Sequence, residues 1–343
     1  MSDAPHPPTA GCRIREPGPT DGIGPPTCDE LYAQLRTVDD PVLGDDIVSL
    51  GLVDDVSVDR ELIVVEMGLY APYAPTERRI VEDVHDAMRF FDRKVVTVAS
   101  GHERGGSSAR RLASVRNVVP VTDVGDAVDG STMATNIAFA LSRIGARVGT
   151  VTLDEGVDAG AAGTSGVPAT VHGVTVARAG TVEHAVTEID WGGLDYLLVD
   201  VPTDPDELFE AAFDRFPTPG PVMAVDRSTS VADARSRLAR LDERGITPLG
   251  VVETTGGSGR EEHHDRVERT PGSWIAEHAE RSLFGRVPDT LADDAEQGTP
   301  VVWAGHELSA VFDSIGASVA DAVGAVGRRA HAERARGGDV GSS

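Results

Sequence analysis

Lysine is almost missing from this chain. Of its 31 basic residues only Lys94 is a lysine, against 56 acidic residues, so the formal net charge is −25. A surplus of this size repels DNA and anionic membrane surfaces, and it argues against nucleic acid or a membrane as partner. Cysteine is as scarce. Cys12 and Cys28 are too few for a disulfide framework, and a reducing interior is the simpler reading. No run of about 18 apolar residues is apparent, and Met1 to Pro26 is rich in Pro and Gly with no apolar core of a signal peptide. The expectation is a cytoplasmic protein with a disordered lead.

The acidic residues are spread along the chain among many Ala, Val and Gly. In molar salt the Debye length falls to roughly 3 Å, and the self-repulsion that would loosen such a chain in dilute buffer is screened. The acidity therefore speaks of habitat before it speaks of partners.

At 343 residues, with 40% hydrophobic composition, the chain is long enough for two packed cores. Composition shifts set the expected boundaries: a disordered tail over 1–27, a small α/β domain over 28–100, a linker over 101–112, a large domain over 113–330 and a second tail over 331–343. In the small domain, the spacing predicts a helix from Cys28 to Thr37, a strand over Leu62 to Met67, a helix from Glu77 to Phe91 capped by Thr76, and a strand over Lys94 to Ala99. Gly105-Gly106-Ser107-Ser108 reads as a joint.

Beyond it strands and helices alternate, which predicts a doubly wound, mostly parallel sheet covered on both faces. Candidate strands are Asn117 to Thr122, Arg147 to Leu153, Tyr196 to Val201, Pro221 to Val225 and Thr247 to Val252. Candidate helices are Ser131 to Ile144, Asp206 to Asp214, Thr229 to Arg244 and Asp313 to Ala330. Pro120 inside the first strand is a warning, because it removes one ladder donor.

Several runs, in order, resemble the Mrp/ApbC family of MinD-like P-loop ATPases that handle iron-sulfur clusters, including its small N-terminal assembly domain. Asp40-Pro41-Val42-Leu43-Gly44-Asp45-Asp46-Ile47-Val48-Ser49-Leu50-Gly51-Leu52-Val53 is similar to the run that opens that small domain. Ser131 to Ala138 resembles the start of the P-loop helix, and Asp195-Tyr196-Leu197-Leu198-Val199-Asp200-Val201-Pro202 its "DYLLIDLPPGTGD" strand. Leu249 to Glu253, Phe284 to Pro288 and Gly298 to Val302 resemble three later segments. The resemblance implies a P-loop NTPase-like large domain, ATP with Mg²⁺ and an iron-sulfur cluster as cofactors, and assembly or client proteins as partners. It also implies a homodimer, or a heterodimer with an intact paralogue. The composition is similar to that of haloarchaeal proteins.

The departures lie in the loop. Where the family has G-K-G-G-V-G-K-S-T, this chain has Val124-Gly125-Asp126-Ala127-Val128-Asp129-Gly130-Ser131-Thr132. Gly125 and Gly130 stand at the two lysine positions, and Asp126 and Asp129 at glycine positions. A working loop closes consecutive backbone N–H groups on phosphate and adds a lysine against the β and γ charges. A carboxylate about 4 Å from a phosphate oxygen costs roughly 1 kcal/mol in water and about 4 at an effective dielectric near 20. Gly125, Gly130, Ser131 and Thr132 are thus candidates for a degenerate nucleotide loop, whose surviving helix N-terminus can hold an anion weakly. The resemblance gives Asp200 as the Mg²⁺-linked carboxylate and Asp154 as the residue that orients attacking water.

The metal side is thinned as well. The family's C-x-x-C after the strand matching Leu249 to Glu253 is replaced by a stretch holding His263 and His264, and a solvated acidic loop is the plainer reading of that pair. The cysteine often found in the small domain is missing from Tyr70-Ala71-Pro72-Tyr73-Ala74-Pro75, which leaves Cys28 as the candidate metal ligand. The expected role is a non-catalytic scaffold or accessory in iron-sulfur cluster assembly. An ATPase with an unusual loop, and a MinD/ParA-like positioning protein, are the alternatives.

Overall fold

The computed structural model describes residues 11–14, 26–59, 61–100, 112–125, 130–154, 168–202, 206–255, 270–288, 302 and 308–337. They fall into two units. The first comprises Met1–Glu103 and Val323–Ser343, and the second Arg104–Ala322.

The first unit carries a four-stranded sheet in the order β1-β2-β3-β4, from Gly11–Ile14, Val53–Asp59, Leu62–Met67 and Lys94–Ala99. β2 and β3 are antiparallel; the outer pairs are parallel. Val56, Val58, Ile63, Val65 and Met67 form the buried face, met by Leu31 and Leu35 of α1 (Cys28–Leu35) and by Ile80, Val84 and Met88 of α2 (Pro75–Met88). α1 starts at a capping box: the Thr27 side chain accepts from the Glu30 N–H, and the Glu30 carboxylate accepts from the Thr27 N–H at 2.8 Å. The start of α2 corrects the expectation of a Thr76 cap. Ala74 is the N-cap and Pro75 the first helical residue, where its fixed φ suits the helix and its missing N–H costs nothing. β1 corrects the expectation of a disordered tail over 1–27: residues 11–14 pair with Asp55 to Val58.

The last helix, α8 (Ser309–Gly337), overruns the expected Asp313 to Ala330 and replaces part of the expected tail with helix. It also corrects the expectation about apolar runs. It is long and apolar enough, by length and composition, to cross a membrane, with a mean hydropathy of 1.3 in its best window, of which 39% is buried inside the protein. Its second half belongs to the first unit. There Arg328 is fully buried, its Nε 2.6 Å from Asp40 Oδ2 and its Nη1 2.9 Å from Glu77 Oε1. Glu77 also accepts from the N–H groups of Tyr70 and Ala71. Burial pushes the Glu77 carboxyl above its ordinary value, against the pull of these hydrogen bonds and of Arg328. His331 stands 2.6 Å from the Tyr70 hydroxyl and 2.8 Å from the Gly51 carbonyl.

The second unit is an eight-stranded sheet in the order β12-β11-β10-β5-β9-β6-β8-β7, parallel except for β7 against β8. The strands are β5 (Val115–Val124), β6 (Val148–Leu153), β7 (Ala169–Val171), β8 (Val174–Ala179), β9 (Leu194–Val201), β10 (Val222–Asp226), β11 (Gly250–Thr255) and β12 (Ser282–Pro288). Between them run α3 (Gly130–Arg143), α4 (Val182–Thr187), α5 (Asp206–Arg215), α6 (Val231–Asp242) and α7 (Pro271–His278). This is the expected α/β class with a doubly wound sheet. Every residue of β9 and β10 is buried, as central parallel strands require. Pro120 is tolerated because pairing of β5 with β10 begins only at Val121, so at Pro120 the ladder has a partner on one side. Asp195, at the start of β9, fixes Arg147 at the start of β6 by accepting from its N–H at 2.9 Å and its Nη2 at 2.9 Å. Burial pushes the Asp195 carboxyl up, but Arg147 outweighs it and holds the group below the usual range.

Candidate functional site: the crevice above β5

In a doubly wound sheet, ligands settle beyond the carboxyl ends of the strands where the strand order reverses. Here the chain leaves β5 toward β6 and later returns to place β9 on one side of β5 and β10 on the other. The crevice thus lies over the end of β5 and the first turn of α3, and it is lined by strand-end acids. Asp123 is the last residue but one of β5, Asp200 lies near the end of β9 and Asp226 ends β10.

Gly125 follows β5 with φ +106°, a conformation that side chains other than glycine avoid. A Cβ there would collide with Thr229 Oγ1, and Thr229 itself donates to the Val124 carbonyl at 3.0 Å. The position the family gives to a lysine is thus filled from the turn before α6. Gly130 opens α3, and a Cβ on it would stand 2.7 Å from Asp200 Oδ1 and 3.9 Å from the Asp123 Cβ. Asp200 is therefore brought to the head of α3. Thr132 is nearly buried in the first turn, and Ser131 lies beside it half-buried.

Several acids of this unit are held by neighbouring donors. Asp154 accepts from Arg178 Nη2 at 2.7 Å. Asp226 accepts from the Ser228 N–H at 2.8 Å and its hydroxyl at 2.9 Å. Glu253, fully buried, accepts from Arg286 Nε at 2.9 Å and from the Gly272 N–H. Asp126, Asp129, His263 and His264 lie outside the described residues. The only lysine of the chain, Lys94, lies in the other unit.

Cys28 is not a free ligand. It is bonded to Cys12, which corrects the expectation of two reduced thiols. The signal was present in principle, as two cysteines 16 apart, but nothing in the Pro/Gly-rich lead foretold a strand that would carry Cys12 to α1. The buried Arg328 cluster was equally unreadable, because its members are 251 and 288 residues apart. Among the described residues no cluster of three or more His, Cys, Asp or Glu is arranged to hold a metal.

Comparison with known proteins bears on both units. Residues 29–100 match the family described as iron-sulfur cluster assembly protein. The chain is 26% identical over 322 residues to the iron-sulfur cluster carrier protein of Synechocystis, covering 80% of this chain and 91% of that one. It is 26% identical over 213 residues to the iron-sulfur cluster assembly factor HCF101 of rice chloroplasts, covering 50% and 40%. Among solved structures it is similar to the MinD cell division protein of Aquifex aeolicus, with 19% identity, 58% and 95% coverage and a TM-score of 0.44. A nucleotide-binding protein of Archaeoglobus fulgidus in complex with ADP gives 18% identity, 55% and 88% coverage and a TM-score of 0.43. These structural likenesses are slight, and the strand order alone locates the crevice. By sequence, the chain is similar to iron-sulfur cluster carrier proteins over most of its length.

Proposed function

We propose that this chain acts in the assembly or carriage of iron-sulfur clusters as a non-catalytic scaffold or accessory, with an ATP site that no longer works. The observation that carries the reading is the refilled loop: Gly125 has Thr229 where a lysine stem would run, and Asp200 faces Gly130 at the head of α3. Phosphoryl transfer spreads charge over oxygens that cations must neutralise, and this crevice supplies carboxylates instead. Sequence similarity to the carriers supplies the process, and the match over 29–100 supplies the module. Assembly and client proteins are the partners, and pairing with an intact paralogue would lend the missing lysines. The net charge of −25 favours a cytoplasm rich in salt and argues against nucleic acid as a direct partner.

The test is a cluster-transfer assay in molar KCl, with an intact carrier and an apo client, in the presence and absence of this chain. The expected result is a change in transfer rate with no ATP turnover attributable to this chain. Turnover by the chain alone, lost in Thr132→Ala, would contradict the reading.

A further inference from the structure

We infer that Cys12 and Cys28 form a redox-gated two-thiolate site for a soft, thiophilic metal ion. The two sulfurs meet because separate elements deliver them: parallel pairing of β1 with β2 sets Cys12 opposite Val56, and the capping box at Thr27 fixes Cys28 as the first residue of α1. The delivery has its own support. Tyr32 of α1 donates its hydroxyl to the Gly11 carbonyl at 2.9 Å, and Arg13 on β1 pairs with Asp55 on β2. Breaking the sulfur–sulfur bond thus leaves non-covalent contacts that keep both thiols at one place.

Three features suit the pair to reversible chemistry. Both cysteines are half-buried and so open to small thiols. Cys28 sits at a helix N-terminus, where the first-turn N–H groups favour a thiolate, against the opposing charges of Asp29 and Glu30. The chain holds no third cysteine, so no internal thiol can reshuffle the bond. Both residues precede position 29, where the match to the assembly family begins.

The chemistry balances simply. A low-molecular-weight thiol attacks the disulfide, and two equivalents leave as their own disulfide while two cysteine thiols form; the two electrons come from that thiol. The thiols then release two protons on binding a divalent ion. Soft thiolates select soft metals. Two protein ligands leave coordination positions open, the arrangement of a site that receives and hands on rather than one that closes around its metal. The reverse exchange, with a low-molecular-weight disulfide taking the two electrons and leaving as two thiols, re-forms the Cys12–Cys28 bond, releases the ion and withdraws both ligands at once. The inference stands apart from the crevice and from the proposed role in cluster assembly.

The experiment uses the full chain in molar KCl, as purified in air and after reduction with a phosphine that is then removed anaerobically. Thiol titration should find no free thiol before reduction and two after. Cd²⁺ titration, followed by sulfur-to-cadmium charge-transfer absorbance, should give one ion per chain in the reduced protein and binding at least about 100-fold weaker in the oxidised protein. Cys12→Ser and Cys28→Ser should each abolish the absorbance. The oxidised wild type serves as a folded control without thiolates. Two thiols that stay free in air, no charge-transfer band in the reduced protein, or a band surviving either substitution would each overturn the inference.

Discussion

The Arg328 cluster of the first unit and the crevice of the second treat carboxylates in opposite ways. In the first, Asp40 and Glu77 enclose a fully buried guanidinium, so acid and base neutralise one another inside the fold. In the second, Asp123, Asp200 and Asp226 lie at or near the carboxyl ends of β5, β9 and β10. Asp226 is satisfied by the N–H and hydroxyl of Ser228, neutral donors from its own turn. A buried charge with its counter-charge is architecture. On the proposed reading, acids around the mouth of the crevice oppose an anionic ligand.

The largest expected effect that sharpens this contrast lies in the first unit. Arg328→Ala strands two buried carboxylates and should cost about 3 to 5 kcal/mol, seen as a much lower denaturation midpoint in molar KCl. Arg328→Met with Asp40→Asn and Glu77→Gln should recover part of the loss, since neutral partners need no counter-charge. A single Arg328→Ala that melts like the wild type would mean that the cluster is not structural.

In the second unit, Gly125→Ala should destabilise by about 1 to 3 kcal/mol, because the residue must keep φ near +106° and displace Thr229. Combining it with Thr229→Ser leaves the hydroxyl in place, so rescue is not expected. Thr229→Gly should restore part of the loss, as read by thermal melting.

A smaller effect concerns pH. The Asp195 carboxyl is held below its ordinary value in the folded protein. Its contribution is therefore present above the unfolded-state pKa near 3.8 and is lost as pH falls through the lower folded-state value. Asp195→Asn should remove about 1 kcal/mol or more at neutral pH and flatten the acid limb of the stability curve. An unchanged acid limb would show that Arg147 does not govern the group.

The smallest intervention is salt. At about 0.1 M the Debye length grows to roughly 10 Å, so the charge of −25 should loosen the fold, with loss of circular-dichroism signal on dialysis from molar KCl. A cooperative, unchanged melt in low salt would remove habitat from the explanation of the acidity.

Much of the fold was legible from periodicity. The strands at Leu62–Met67 and Lys94–Ala99 lie where β-branched runs place them, and α3 and α6 differ from expectation by one or two residues at each end. β2 was hidden because three aspartates in Val53–Asp59 mask its alternation, and Asp55 proves to be nearly buried. The end of α8 was hidden because its polar residues look solvated in sequence, whereas Arg328 is buried by partners far away in the chain. In the crevice the missing lysines were plain to read. Thr229 filling the space beside Gly125 was not, since no local pattern links residues 104 apart across a sheet.

The central claim, that the crevice no longer holds a nucleotide, is tested most directly by calorimetric titration of the unaltered protein with Mg-ATP in molar KCl. Each lost charge-assisted bond removes roughly 1.5 to 3 kcal/mol, and the added aspartates oppose binding further. The account predicts no saturable heat up to about 1 mM ATP. Micromolar binding that disappears in Thr132→Ala would contradict it and show a divergent but working site.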